Sequence, residues 1–168
     1  MKRILILLCL PLMTLAQQTY VPDDNFESYL ESNGMGNGIP NDDYVLTANI
    51  NTVTYLGVSY QNIADLTGIE DFNFLQVLLC GPNQLTTLDV SNNNALISLH
   101  CYTNQLTSLD VSQNTALTSL NCHMNQLTSL DVSQNTALYN LNCSGNNLTT
   151  LDVSQNTALT HLYCYDNQ

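Results

Sequence analysis

From Cys80 onward the chain repeats itself every 21 residues without insertion. The units CGPNQLTTLDVSNNNALISLH, CYTNQLTSLDVSQNTALTSLN, CHMNQLTSLDVSQNTALYNLN and CSGNNLTTLDVSQNTALTHLY begin at Cys80, Cys101, Cys122 and Cys143, and a fifth opens at Cys164. Repetition this regular restricts the chain to an array in which like positions stack on like. A unit so short cannot bury its own leucine face, whereas neighbouring coils bury it between them.

Each unit contains a finer period. Leu117-x-x-Leu120-x-Cys122-x-x-Asn125 is followed by Leu127-x-x-Leu130-x-Val132-x-x-Asn135, in steps of 10 and 11 residues. Leu-x-Cys and Leu-x-Val alternate with the two-residue period of a strand. That predicts two short strands per coil, each about 4.8 Å from its equivalent in the next. The pattern L-x-x-L-x-C-x-x-N-x-L resembles the leucine-rich repeat consensus. Its doubled form, with L-D-V in the second half, resembles the nested 21-residue subtype of bacterial secreted leucine-rich repeat proteins. Upstream, Leu75-x-x-Leu78-x-Cys80-x-x-Asn83-x-Leu85 fits, and Val53-x-x-Leu56-x-Val58 with Ile63 fits more loosely, Gln61 replacing the Asn. Thr67-Gly68-Ile69 is similar to internalin-like repeats. The resemblance implies a right-handed leucine-rich repeat solenoid of parallel β coils, with a short α-helical N-terminal cap.

The segments before the array have separate tasks. Met1-Lys2-Arg3 is a basic start, Ile4 to Ala16 an uncharged, mostly apolar run, and Thr14-Leu15-Ala16 a small-x-Ala site. That order reads as a signal peptide over residues 1–16, with cleavage before Gln17. Leu7 and Leu8 precede Cys9 where a lipidation signal requires small residues. Residues 17–49 form the cap. Asp23 or Asp24 can cap a helix that places Phe26, Tyr29 and Leu30 on one face, and Asn33-Gly34 can end it. This segment resembles the N-terminal cap of bacterial leucine-rich repeat proteins. The repeats then occupy 50–168, degenerate over 50–79, regular over 80–163 and truncated over 164–168. The array stops one residue short of the next expected Leu, so the chain is expected to be a fragment of a longer protein.

Three columns read as scaffold. Cys80, Cys101, Cys122, Cys143 and Cys164 hold a place equivalent to that of Val111 and Val132, which marks them as small buried hydrophobes. In-register neighbours on parallel strands approach poorly for a disulfide, and zinc spacing is absent. Asn83, Asn104, Asn125, Asn146 and Asn167 can bond to backbone groups where the strand turns, and Asn93, Asn114, Asn135 and Asn156 can do the same in the other half. Asp89, Asp110, Asp131 and Asp152 repel one another along the array unless something offsets them. Backbone N–H groups at a turn would do so, which favours a structural role over cation binding.

The outward positions divide the molecule into two unlike faces. On the Val half they read Thr87/Asp89/Ser91, Ser108/Asp110/Ser112, Ser129/Asp131/Ser133 and Thr150/Asp152/Ser154, hardly changing from coil to coil. On the Cys half they read Val77/Leu79/Gly81, Ser98/His100/Tyr102, Ser119/Asn121/His123, Asn140/Asn142/Ser144 and His161/Tyr163/Tyr165. Variation confined to one exposed face, rich in Tyr, Ser, Asn and His, is the composition of an adaptable binding surface. The candidate ligand-binding residues are His100, Tyr102, His123, Met124, Tyr139, His161, Tyr163 and Tyr165.

Charge bounds the partners. The chain has 14 Asp+Glu against 2 Lys+Arg, and both cations lie at positions 2 and 3. Such a surface repels phosphate backbones and anionic lipid, which excludes nucleic acid and argues against membrane insertion after signal cleavage. A protein or glycan partner is expected, and a basic one is favoured by charge. No Gly-rich phosphate loop, G-x-S-x-G or H-E-x-x-H occurs. The three His fall in different columns, so no metal, cofactor or catalytic residue is expected. The reading is a non-catalytic recognition module, secreted or at the cell surface. The alternative is a structural spacer in a larger surface protein whose activity lies in further C-terminal sequence.

Overall fold

The computed structural model describes residues 16–168. The signal segment read at the N-terminus therefore lies, up to residue 15, outside the described residues. The array is built on one six-stranded parallel sheet, β3 (Tyr55–Gly57), β4 (Val77–Leu79), β5 (Ser98–His100), β6 (Ser119–Asn121), β7 (Asn140–Asn142) and β8 (His161–Tyr163), in sequence order. Its register puts Leu56, Leu78, Leu99, Leu120, Leu141 and Leu162 side by side. All but Leu162 are buried. The first coil is one residue longer than the rest, Leu56 pairing with Leu78.

The core follows from stacking equal positions. Leu75, Leu96, Leu117 and Leu138 form one buried column; Leu85, Leu106, Leu127 and Leu148 form another. Val58, Cys80, Cys101, Cys122 and Cys143 form a third. Each completely buried Leu is worth roughly 1.5–3 kcal/mol of transfer free energy, and every coil repeats the same set, so stability accumulates along the array.

The expectation of a second strand per coil is not met. Segments such as Leu109–Ser112 carry no strand. The Oδ1 of Asp110 takes the N–H of Ser112 at 2.9 Å, and the N–H groups of Asn114 and Leu117 bond to Val111 and Asn114 carbonyls three residues back. These N–H groups close local turns and are not free for an inter-coil ladder. The solenoid is thus β on the Cys side and turn-built on the Val side.

The N-terminal segment holds more than the one expected helix. α1 (Asp24–Ser32) is capped by Asp23, whose Oδ1 accepts from Asn25 and Phe26 N–H groups at 3.0 and 2.9 Å, and Asn33 closes it. A two-stranded antiparallel sheet, β1 (Gln18–Tyr20) with β2 (Tyr44–Leu46), and a single turn, α2 (Thr47–Ile50), complete it. Strands of three residues without Leu-x-Leu alternation give too little pattern to read. Phe26 and Leu30 are fully buried, and Phe26 stacks on Phe72 at 6.4 Å. The other oxygen of Asp23 accepts from Ala64 and Asp65 N–H groups at 2.8 and 3.1 Å, so one carboxylate caps the helix and ties it to the first coil.

Candidate functional site

The variable side of the array is the outward face of β3–β8 together with the turn that follows each Cys. Because the central Leu of each strand points inward, its two neighbours point outward. His100, Asn121, Asn142 and Tyr163 are aligned across successive strands by the register. Beyond the Cys come Gly81, Tyr102, His123, Ser144 and Tyr165 in the next outward column.

Two of the candidates meet. The Tyr102 and His123 rings stack with centroids 4.8 Å apart and planes 6° apart. His123 Nδ1 lies 2.8 Å from Asn121 Oδ1, which fixes the ring's rotation. Burial holds both His100 and His123 below the ordinary histidine pKa, favouring neutral rings. Burial first, and then the neighbouring Tyr60 phenol, push Tyr102 above the usual tyrosine range. The Thr103 hydroxyl reaches the Met124 sulfur at 3.8 Å. Tyr139, His161, Tyr163 and Tyr165 are exposed, and among the described residues none of these three tyrosines stacks on another ring. His161 Nδ1 lies 2.9 Å from the Thr160 hydroxyl.

Sequence reading missed Tyr60. It sits beside Tyr102 although a whole coil lies between them, because that coil has Gly81 in the Tyr102 column. A Cβ at Gly81 would lie 2.1 Å from the Tyr102 carbonyl oxygen, so only glycine admits that close backbone approach. A strict 21-residue count places Tyr60 in the column of Gly81 and Tyr102, and the extra residue of the first coil gives its backbone the conformation of Thr103 and Met124. Tyr60, Thr103, Met124, Gly145 and Asp166 all adopt left-handed backbone, with φ of 61°, 52°, 52°, 64° and 54°. They occupy the same place in their coils, and glycine holds it once. Gly145 was the available signal.

The scaffold columns behave as follows. Cys80, Cys101, Cys122 and Cys143 are buried free thiols, and Cys164 is an exposed one. Burial pushes Cys80 up to about 12 and Cys143 up to about 11, and holds Cys101 and Cys122 well above the usual thiol value. Thiolate, the form that attacks and binds metal, is thereby suppressed in the ladder. Asn104, Asn125 and Asn146 each accept one N–H from the preceding coil through Oδ1, at 2.9 to 3.0 Å. Their Nδ2 groups donate to the Cys carbonyls of both coils. Asn93, Asn114, Asn135 and Asn156 donate to two carbonyls each, but their buried Oδ1 atoms have no partner.

On the opposite side Asp89, Asp110, Asp131 and Asp152 each accept the N–H of the Ser two residues on, at 2.8 to 2.9 Å. Hydrogen bonds from those serines hold all four carboxyls below the usual range, against repulsion from neighbouring carboxylates at Asp110 and Asp152. Shallow depressions open between coils here, one of about 410 Å³ lined by Ser108, Asp110, Ser129 and Asp131 among others. Similar depressions recur along this invariant side, between Thr87 and Asp110 and between Ser129 and Asp152. In the cap, Asp24, Glu27 and Asp43 bring three carboxylates within 4.8 Å. Glu27 is fully buried there, and its oxygens accept the Asp42 and Asp43 N–H groups at 3.1 and 3.3 Å.

No family model matches the chain. A stretch of 74 residues, 44% of the chain, is 45% identical to internalin J of Listeria monocytogenes serotype 4b (strain F2365), of which it spans 8%. The solved functional domain of InlJ from Listeria monocytogenes, described as including a cysteine ladder, superposes with a TM-score of 0.81 at 43% identity. That match covers 90% of this chain and 34% of that one. An internalin (InlF) from Listeria monocytogenes strain 4b F2365 superposes with a TM-score of 0.74 at 26% identity, over 88% of this chain and 44% of that one. These parallel coils with a buried Leu and Cys interior define a leucine-rich repeat solenoid. The chain is an internalin-like bacterial leucine-rich repeat protein. It spans about a third of the InlJ domain and less than a tenth of internalin J.

Proposed function

We propose that this chain is a non-catalytic recognition module of an exported or surface-held protein, binding a protein or a glycan through the variable side of its sheet. The observation that carries the reading is the contrast between the two sides. The Asp–Ser positions are tied into identical turns in every coil, and they hardly differ. The positions along the sheet edge are free to differ, and they carry Tyr, His, Asn and Met. The likeness to internalins favours a protein as partner.

The test changes Tyr102, His123 and Tyr165 together to Ser and compares retention of surface proteins from the cells the organism meets. Loss of retention with an unchanged far-UV spectrum is expected. Changing Ser108, Ser129 and Thr150 together to Ala, on the other side, should leave retention intact. Unchanged retention in the first variant would remove the reading. Export is checked separately: the mass of the protein recovered outside the cell should correspond to a chain beginning at Gln17.

A further inference from the structure

We propose that the ridge at the end of the sheet, made by the stacked Tyr102 and His123 with Tyr60 and Met124 beside them, docks an arginine side chain of a protein partner. The inference rests on the reading of the variable side as the recognition surface and names the group it takes.

Geometry marks this ridge among the outward residues. Tyr102 and His123 form the one ring stack of the variable side among the described residues, their planes nearly parallel. Tyr60 stands next to Tyr102 and is 73% exposed, and Met124 is 60% exposed. Three coils thus contribute to one patch of soft, polarisable groups, exposed at Tyr60 and Met124 and half-buried at Tyr102 and His123.

Backbone conformation adds an independent observation. Tyr60, Thr103 and Met124 are held at φ of 61°, 52° and 52°, where a side chain is strained and glycine is not. Gly145 shows that the same turn accepts glycine. Glycine would be unstrained at these three positions, so a side chain that adds a contact surface there offsets a conformational cost. Met124 and Tyr60 project from this position at the margin of the ring stack.

Charge selects the ligand. The chain carries 14 carboxylates and no Lys or Arg beyond position 3, so its field draws cations. The ridge itself carries no formal charge and offers aromatic ring surface, a poor match for a strongly hydrated ammonium. A guanidinium is planar and weakly hydrated, and it stacks on aromatic faces, so it suits a neutral aromatic platform in a negative field. Neutral His123 adds no repulsion to an incoming cation.

The experiment measures binding of fluorescein-labelled hexa-arginine, hexa-lysine and hexa-glutamine peptides to the full chain by anisotropy. Salt is held at about 0.15 M, where the screening length is roughly 8 Å and distant charges contribute little. Hexa-arginine should bind at least tenfold more tightly than hexa-lysine. Tyr102→Ala with His123→Ala should abolish that preference, and Tyr102→Phe should keep it. Tyr60→Ala with Met124→Ala, both at exposed positions, should reduce it severalfold. Equal binding of the two cationic peptides, or an arginine preference unmoved by these changes, would overturn the proposal. If the preference is absent while the triple serine variant still loses its surface partner, the recognition surface stands and only the arginine assignment falls.

Discussion

The side-chain oxygen of Asn125 holds the backbone N–H of Leu106, nineteen residues earlier, at 3.0 Å. The same amide donates to the carbonyls of Cys101 and Cys122, both at 3.1 Å. One side chain therefore closes three backbone groups that the turn leaves without partners, across two coils. Removing it exposes a buried donor and two carbonyls at once, each costing about 1–3 kcal/mol when left unmade.

Asn125→Ala is accordingly expected to destabilise the chain by roughly 3 kcal/mol or more, on that scale. Asn114 makes two comparable donations, but its Oδ1 has no partner, so Asn114→Ala should cost less, about 2 kcal/mol. Urea unfolding of the two variants measures the difference. Equal losses would mean that the Leu106 bond contributes nothing.

The thiol ladder invites a substitution of another kind. Val58 already occupies the Cys column in the first coil, and the column is buried. Cys122→Val should therefore change stability by less than about 1.5 kcal/mol. Cys122→Ser places a hydroxyl among apolar neighbours and should cost about 1–3 kcal/mol. Alkylation mapped residue by residue on the folded protein should label Cys164 and spare Cys80, Cys101, Cys122 and Cys143 until urea unfolds the chain. Rapid labelling of Cys122 in the native state would contradict the buried column.

The fate of these columns shows what a repeat makes legible. A 21-residue period together with a two-residue alternation assigns Leu120 and Cys122 to the interior and His123 to the outside, because stacking leaves no other arrangement for identical units. The second strand was not legible. Leu130-x-Val132 has the same alternation as Leu120-x-Cys122, yet Asp131 and Asn135 draw that segment into local turns. Period reports which side chains are buried, and local hydrogen-bonding residues decide whether the backbone between them pairs. The Tyr102–His123 pair was visible only as two variable residues in one column. Their stacking, and the approach of Tyr60 across the side-chain-free Gly81, are matters of side-chain packing, which a period does not record.

Gly81 makes the next case. Its neighbour across the coil boundary is the Tyr102 backbone, with the carbonyl oxygen 2.1 Å from where a Cβ would stand. Gly81→Ala should cost about 1–3 kcal/mol, in the range of overpacked interiors. It should also displace Tyr102 from His123, visible as a change in the His123 ring resonances. A variant as stable as the parent, with those resonances unmoved, would show that the two coils can separate freely at this point.

Stability should fall at both ends of the pH scale, for different columns. The carboxyls of Asp89, Asp110, Asp131 and Asp152 titrate below their unfolded value because serine N–H and hydroxyl groups bind the charged form. Such a group stabilises the fold above the unfolded value, about 3.9, and the contribution is lost as pH falls through the lower folded value. The urea midpoint should therefore decline below about pH 4, and Asp110→Asn with Asp131→Asn should flatten that decline. The thiols act in the opposite sense. Burial pushes Cys80 up to about 12 from the ordinary thiol value of 9.0, so the unfolded chain loses its proton first. Their contribution is complete below pH 9.0 and is lost as pH rises toward about 12. Cys80→Val with Cys101→Val should make the alkaline limb shallower without altering the acid one. An alkaline limb unchanged by those substitutions would assign the loss to tyrosine ionisation and not to the ladder.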